Sequence, residues 1–210
     1  MGTTNVVIDI SHHNGRVDLQ RAAADGILGV IHKATQGSGF ADAMYAKNRR
    51  AAASADLLWG AYHFGTGADP TAQAKQFLRV ADLDSNNLLV LDFEENTQGP
   101  TMTLVQARTF IKTVQEATGR ICGLYGGSTL KEALAGKSDP LLAACWLWWA
   151  QYSSTPSIPS NLPDFTLWQY TDGHHGDGPF EVDGVGPCDR DKYQGSVDDL
   201  RTKWAQGSLA

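Results

Sequence analysis

The stretch LLVLDFEE, residues 88–95, is an apolar run that ends in acidic residues. A short apolar run of this kind is typical of a buried strand. Because side chains alternate faces along a strand, Asp92 and Glu94 point the same way, about 7 Å apart along the backbone, and Phe93 points the opposite way. Like charges at this range raise the pKa of one carboxyl while the other stays ionised. The stretch therefore predicts a strand that presents an acid beside a base.

A plainer interpretation is that Asp92 caps a loop while Glu94 and Glu95 are solvated. A second acid at another strand end favours the first interpretation. Asp9 in VVIDISHHNG, residues 6–15, is such an acid, because it follows a strand-like run and precedes a polar loop, where a charge needs a polar cleft. Taken alone, Asp9 is also typical of a turn.

Short apolar runs alternate with helical patterns on both sides of this strand. Two aromatic-rich strand candidates, 145–152 and 165–170, follow the alternating part and are joined by a Pro/Ser stretch, and a helical pattern returns in the last dozen residues. In the alternating part, strands are predicted at 6–10, 29–33, 59–64, 88–94 and 121–125, with helices at 19–25, 43–55, 103–116, near 128–135 and from Pro70 onward.

Repeated β/α units with continuously apolar strands predict a parallel sheet. A closed, TIM-like α/β barrel of eight strands fits within 210 residues as a single domain. An open doubly wound sheet is the alternative, although the chain has no GxGxxG or GxxxxGK(S/T) motif to support a nucleotide-binding version.

The net charge of −6 argues against nucleic acid or an anionic membrane surface as the main partner, because both require clustered Lys and Arg. Cys122, Cys145 and Cys188 are odd in number and far apart, which indicates neither a disulfide framework nor a zinc site. The histidine pairs at 12–13 and 174–175 lack the acid pattern of a metal site. We therefore expect no metal ion.

The first residues, MGTTNVVIDI, contain no basic segment followed by an apolar stretch of secretory length. No later run reaches 18 apolar residues. The expectation is a chain made in the cytoplasm without a Sec signal. If it acts outside the cell, separate machinery such as phage lysis releases it.

Seven motifs, in order along nearly the whole chain, resemble those of glycoside hydrolase family 25, the Chalaropsis-type lysozymes. They are VIDISHHNG (7–15), HKATQG (32–37), GAYHF (60–64), LVLDFEE (89–95), WLWWAQY (146–152), LWQY (167–170) and CDRDKYQGS (188–196).

The resemblance implies a TIM-like barrel with five β/α units followed by three strands, written (β/α)5(β)3. It also implies hydrolysis of the β-1,4 bond between N-acetylmuramic acid and N-acetylglucosamine in peptidoglycan, without a cofactor. The glycan strands of peptidoglycan are then the expected partner, and a monomer is the expected state because closed-barrel hydrolases often act alone.

Carried over residue by residue, the resemblance implies Glu94 as general acid/base and Asp92 as the first acid of a DxE motif. It further implies Asp9 as the acid of the first strand and Asp189 as the acid of the last strand, a position whose spacing Asp183 fits less well. The residues that the resemblance assigns to substrate binding are Tyr62, Tyr125, Trp148, Trp168, Gln169, Lys33 and Gln36.

Some aromatic and polar residues of these motifs have structural interpretations instead. Trp146 and Trp149 are as consistent with core packing as with a cleft, and His63 is predicted to be a hydrogen-bonded buried group. The chain departs from the family pattern at His13, where Trp is frequent, and at Gln36, where Glu is commoner. Residues 173–187 have no clear counterpart in the family.

The chemistry leaves one step open. An acid must protonate the glycosidic oxygen, and either Asp92 attacks C1 directly or it orients the 2-acetamido group of the sugar as the nucleophile. The i, i+2 arrangement favours the acetamido route, and both routes retain the anomeric configuration. The alternative functions are a glycan-binding barrel without activity and a chitin-directed glycosidase.

Overall fold

A computed structural model of the chain describes residues 2–81 and 86–210. The strands are β1 (Thr4–Ile10), β2 (Gly29–Gln36), β3 (Phe40–Ala41), β4 (Leu58–Phe64), β5 (Leu88–Asp92), β6 (Gly123–Gly126), β7 (Trp146–Ala150), β8 (Phe165–Thr171), β9 (Glu181–Val182), β10 (Gly186–Pro187) and β11 (Asp189–Tyr193). The helices are α1 (Leu19–Ala24), α2 (Tyr45–Ser54), α3 (Pro70–Ala81), α4 (Leu104–Thr118), α5 (Ser128–Leu134), α6 (Pro140–Ala143) and α7 (Val197–Trp204).

Eight of these strands close into a barrel in the order β1-β2-β4-β5-β6-β7-β8-β11, because β1 pairs with both β2 and β11. Seven strands run parallel, and β11 runs antiparallel to both of its neighbours. Five β/α units precede β7, β8 and β11. The predicted TIM-like (β/α)5(β)3 barrel is confirmed, and the closure rules out the open doubly wound sheet.

Local signals explain where the helices begin and end. The α4 helix begins after Thr103, whose side chain accepts from the Gln106 backbone N–H in a capping box, and it ends at Gly119 in the left-handed conformation (φ 67°). Its Phe110 packs against the barrel, with the ring centroid 4.7 Å from that of His63. Within the described residues, no helix combines the length and apolar character that a membrane crossing requires.

The α7 helix closes one end of the barrel. Trp204 is buried there and donates its indole N–H to the Trp59 carbonyl at 2.9 Å. Gly29 begins β2 beneath the same ring, where an added Cβ would lie 2.8 Å from Trp204, so the close approach requires glycine. Because this floor contacts the amino ends of β2 and β4, the opposite end, formed by the carboxyl ends of the parallel strands, is the open mouth.

The boundaries differ from the sequence predictions in two informative places. The β5 strand ends at Asp92, so Glu94 lies two residues beyond it rather than at its last position. The β11 strand, sequence DRDKY, was not predicted from periodicity, because four of its five residues are charged. Its Arg190, Asp191 and Tyr193 are nevertheless buried, since both neighbouring strands cover it.

Candidate active site

The mouth of the barrel contains a cavity of about 160 Å³ that all four predicted acids line. It lies at the carboxyl ends of the parallel strands, which is where barrels of this type carry their active sites. The lining residues are Asp9, Tyr62, Asp92, Glu94, Tyr125, Trp148, Tyr152, Gln169 and Asp189.

The strand directions explain how distant residues meet at this cavity. Asp9 lies near the end of β1, and Asp92 is the last residue of β5. Asp189 is the first residue of β11, and because that strand runs the other way, its start lies at the mouth, where Asp189 pairs with Asp9 across the ladder. The four acids therefore converge, as the resemblance implied.

Asp92 and Glu94 both line the cavity, and Oδ1 of Asp92 is buried there without a hydrogen-bond partner among the described residues. Phe93 points the other way and is buried between the barrel and its helices, which confirms the predicted alternation. Burial raises the pKa of both carboxyl groups, and the charge of Glu94 raises the pKa of Asp92 further. Because each of these two carboxyl groups shifts the pKa of the other, they titrate together rather than independently.

Gln169 fixes the position of Asp9. The side-chain Oε1 of Gln169 accepts from the hydroxyls of Tyr125 at 2.8 Å and Tyr152 at 3.1 Å, so its Nε2 is directed at Asp9 Oδ2, 2.7 Å away. Burial raises the pKa of Asp9, and the charges of Asp189 and Asp191 raise it further. Asp9 is therefore oriented by a neutral donor in a strongly negative environment.

Asp191 lies one inward-facing position further down β11 than Asp189. Its Oδ1 accepts from the indole N–H of Trp148 at 2.7 Å, and its Oδ2 has no hydrogen-bond partner within the described part of the chain. Burial raises the pKa of Asp191, and burial likewise raises the pKa of Asp189 to about 7. Asp191 is thus a further buried acid below the mouth, and the sequence analysis did not predict it.

The raised pKa of Asp189 gives a stability prediction. Asp189 titrates near 7 in the folded state and near 3.8 when exposed, so the folded state binds the extra proton and loses stability as pH rises through this window. Replacing Asp189 with asparagine should therefore stabilise the chain, and the gain should grow by on the order of 1–2 kcal/mol from pH 5 to pH 8.

Thermal unfolding of the wild type and the Asp189→Asn variant at both pH values measures this gain. The matched control is Asp177→Asn, which removes an exposed acid that does not line the cavity. A gain at Asp189 that is the same at both pH values would contradict the prediction.

Three aromatic residues form one wall of the cavity. The Tyr125 ring meets Trp148 edge-on at a centroid distance of 4.6 Å, and Tyr62 meets the same indole at 6.4 Å. The C–H face of a sugar ring packs well against aromatic rings arranged in this way. The structure places Tyr62, Tyr125, Trp148 and Gln169 in the lining of the cavity.

Lys33 and Gln36 lie beside the cavity rather than in its lining. The Lys33 ammonium donates to Gln36 Oε1 at 2.7 Å and lies 4.8 Å from the centre of the Phe64 ring. Burial lowers the pKa of Lys33, and the charge of Asp92 opposes this effect. Lys33 is therefore a partly buried cation close to the paired acids.

Trp168 does not face the cavity. On β8, Gln169 points inward, so its neighbour Trp168 must point outward. The indole of Trp168 donates to the Gln151 carbonyl at 2.8 Å, and Lys192 lies 4.7 Å from the ring centre. The structure thus places Trp168 in the packing between strand and loop, outside the site.

The remaining residues of interest fall outside the catalytic cavity. Asp183 forms a salt bridge with Arg21, and His63 is buried between Thr35 at 2.7 Å and Gln73 at 3.0 Å, as predicted for a hydrogen-bonded core group. Trp146 and Trp149 are buried in the core. The described residues contain no group of three or more His, Cys, Asp or Glu that could hold a metal ion.

Tyr152 and Asp191 are the two site residues that sequence reasoning missed. Both follow a residue already assigned to the mouth by an even number of positions: Tyr152 is four residues after Trp148, and Asp191 is two after Asp189. Because side chains on one face of a strand recur every second residue, this spacing was the available signal.

Comparisons with known proteins agree with this geometry. A family model described as glycosyl hydrolases family 25 matches residues 8–178. The chain is 30% identical over 205 residues to lysozyme M1 of Streptomyces globisporus, covering 90% of this chain and 68% of that protein. Two similar solved structures are a bacterial lysozyme from Streptomyces coelicolor (TM-score 0.84, 30% identity, 98% of this chain and 99% of that one) and a family GH25 lysozyme from Aspergillus fumigatus (TM-score 0.81, 30% identity, 97% and 100%).

Proposed function

The chain belongs to glycosyl hydrolases family 25 and is a glycoside hydrolase, and on this basis we propose that it is a muramidase. Its substrate is the β-1,4 bond between N-acetylmuramic acid and N-acetylglucosamine in bacterial peptidoglycan. The observation that carries the proposal is the convergence of Asp92 and Glu94 with two further acids in one cavity. The single catalytic domain comprises residues 1–210.

Glu94 is the proton donor in this proposal. A glycosidic oxygen needs a carboxyl that remains protonated near working pH, and burial raises the pKa of Glu94 in that direction. Glu94 is also more exposed than the fully buried Asp92, so it is the carboxyl of the pair that a glycosidic oxygen reaches. As the C–O bond breaks, the proton moves to the leaving oxygen and Glu94 becomes the base that activates water in the second step.

Asp92 orients the 2-acetamido group of the sugar. Asp92 lies two residues before Glu94, an arrangement that resembles the paired acids of substrate-assisted glycosidases. An acetamido N–H that donates to Asp92 favours the ionised form of that carboxyl and so favours protonation of Glu94. The acetamido oxygen then attacks C1, water opens the resulting ring from the other face, and the configuration is retained.

Asp9 and Asp189 complete the proposed site, because each adds negative charge near the oxocarbenium-like transition state when it is ionised. Asp9 is oriented through Gln169, and Asp189 lies beside it in the ladder. Tyr62, Tyr125 and Trp148 supply the apolar wall on which a sugar ring stacks. Lys33, held by Gln36, opposes the charge of the paired acids from the side.

Digestion of purified peptidoglycan, followed by borohydride reduction and mass spectrometry, tests the proposed function. A muramidase leaves N-acetylmuramic acid at the new reducing ends, so the expected products are muropeptides that end in reduced muramic acid. Products that end in reduced N-acetylglucosamine, or activity on chitin alone, would contradict the proposal. Binding without any product would instead indicate a glycan-binding barrel.

The proposal extends to the setting of the enzyme. The chain works as a monomer without metal or organic cofactor, has no nucleic acid or membrane partner, and reaches the cell wall after synthesis in the cytoplasm through separate lysis or export machinery. Light scattering of the purified protein tests the monomeric state. Localisation of a tagged chain before and after lysis tests the route by which it reaches the cell wall.

A further inference from the structure

A second cavity of about 440 Å³ adjoins the catalytic cavity, and we refer to it as the arm. The arm is lined by residues 127–129, Lys131, 149–152 and Ser157, together with Glu94. Glu94 and Tyr152 line both cavities, so the arm opens directly from the proton donor. A substrate held at Glu94 therefore reaches the arm without crossing another barrier.

The arm differs in chemistry from the catalytic cavity. Four acids line the catalytic cavity, whereas Glu94 at the junction is the only acid among the described residues that lines the arm. The arm instead presents hydroxyl groups from Ser128, Thr129 and Ser157 and the ammonium group of Lys131. Lys131 is exposed and forms no salt bridge within residues 2–81 and 86–210. This side of the mouth therefore favours an anion.

The glycan backbone of peptidoglycan supplies no such anion, because its hydroxyl and acetamido groups are neutral and its lactyl carboxyl is amide-linked to peptide. The carboxylates lie on the peptide stem, which is attached to the muramyl ring beside the scissile bond. We propose that the arm binds this peptide stem. Lys131 pairs with a stem carboxylate, and the hydroxyl groups accept hydrogen bonds from the amide N–H groups of the stem and donate hydrogen bonds to its carbonyls. This inference rests on the proposed function and makes stem-bearing chains the preferred substrate.

The position of the arm beside Glu94 supports the peptide stem as its ligand. Glu94 must contact the glycosidic oxygen, and the muramyl ring that carries the stem is bonded to that oxygen. A stem that leaves this ring on the arm side enters the arm at its junction with the catalytic cavity. A neutral sugar bound there could accept only a hydrogen bond from Lys131, whereas a carboxylate would also form an exposed ion pair, which is sensitive to salt.

The test measures binding separately from turnover. In the Glu94→Gln background, titrations with soluble glycan fragments that carry or lack peptide stems are compared. They give the ratio of the affinity for the stem-bearing fragment to the affinity for the stem-free fragment. With Lys131→Glu added, this ratio should fall about three- to tenfold at low ionic strength, and high salt should diminish the effect. The matched control is Lys137→Glu, which makes the same charge change in the loop after α5, away from the arm, and should leave both affinities unchanged.

Three outcomes would overturn the inference. They are an unchanged ratio in the Lys131→Glu variant, an equal loss of affinity for both fragments, or an equal effect of Lys137→Glu. Failure of the proposed function gives a different result, because it appears as absence of muramic acid ends in the wild-type digest, whereas the ratio of affinities is measured without catalysis.

Discussion

Replacing Glu94 with glutamine is expected to lower kcat on purified peptidoglycan by about 10²- to 10⁴-fold, which is the usual contribution of a positioned general acid. The amide preserves the size of the side chain, but it has no acidic proton to transfer to the leaving oxygen. Release of reducing ends at saturating substrate measures the effect.

The neighbouring acid provides the control for this experiment. Glu95 is exposed, follows Glu94 directly and does not line the catalytic cavity, so Glu95→Gln should keep wild-type turnover. Thermal unfolding of both variants verifies that the fold is intact. Wild-type turnover in the Glu94→Gln variant, or an equal loss in the Glu95→Gln variant, would remove Glu94 from its role as proton donor.

Replacing Asp92 with asparagine is expected to lower kcat by about 10²- to 10³-fold, a typical loss for one preorganised electrostatic contact. Asparagine is nearly the same size, but it lacks the charge that orients an acetamido N–H and stabilises the developing positive charge. It also removes the effect that the Asp92 carboxyl has on the pKa of Glu94. Initial rates at saturating substrate, compared with those of the surface variant Asp177→Asn, measure the loss.

Mass spectrometry distinguishes the two possible roles of Asp92. If Asp92 attacked C1 directly, the Glu94→Gln variant acting on a glycoside with an activated leaving group would accumulate a protein heavier by one glycosyl unit. In the acetamido route the intermediate is a bicyclic sugar that leaves the protein unmodified, so the intact mass should stay unchanged. An adduct mapped to Asp92 would contradict the acetamido route.

Most of the barrel was predictable because its strands carry continuous apolar runs. Residues such as Val30, Leu89 and Leu124 are buried on parallel strands covered on both faces, and that environment produces the pattern that periodicity detects. The β11 strand lacked this pattern. Its Arg190 and Asp191 are buried through specific polar contacts, with Glu181 and Trp148 respectively, and a single sequence does not reveal such contacts.

The site was predictable to the extent that strand alternation was applied. Asp92 and Glu94 followed from it directly, and Trp168 was assigned to the cleft although its neighbour Gln169 already pointed inward. The link from Tyr125 and Tyr152 through Gln169 to Asp9 joins positions up to 160 residues apart in the sequence. Such long-range hydrogen bonds depend on barrel closure, so composition and spacing do not predict them.

The reversed direction of β11 has a consequence for biosynthesis. Residues 189–204 leave the ribosome after the other seven barrel strands. They include Asp189, the last strand of the barrel, β11, and Trp204, which closes the end of the barrel opposite the mouth. Until they emerge, β1 and β8 have free edges, and the polypeptide has neither a closed wall nor a complete set of charges. We therefore expect the nascent chain to be inactive until this final segment has emerged and paired with β1 and β8.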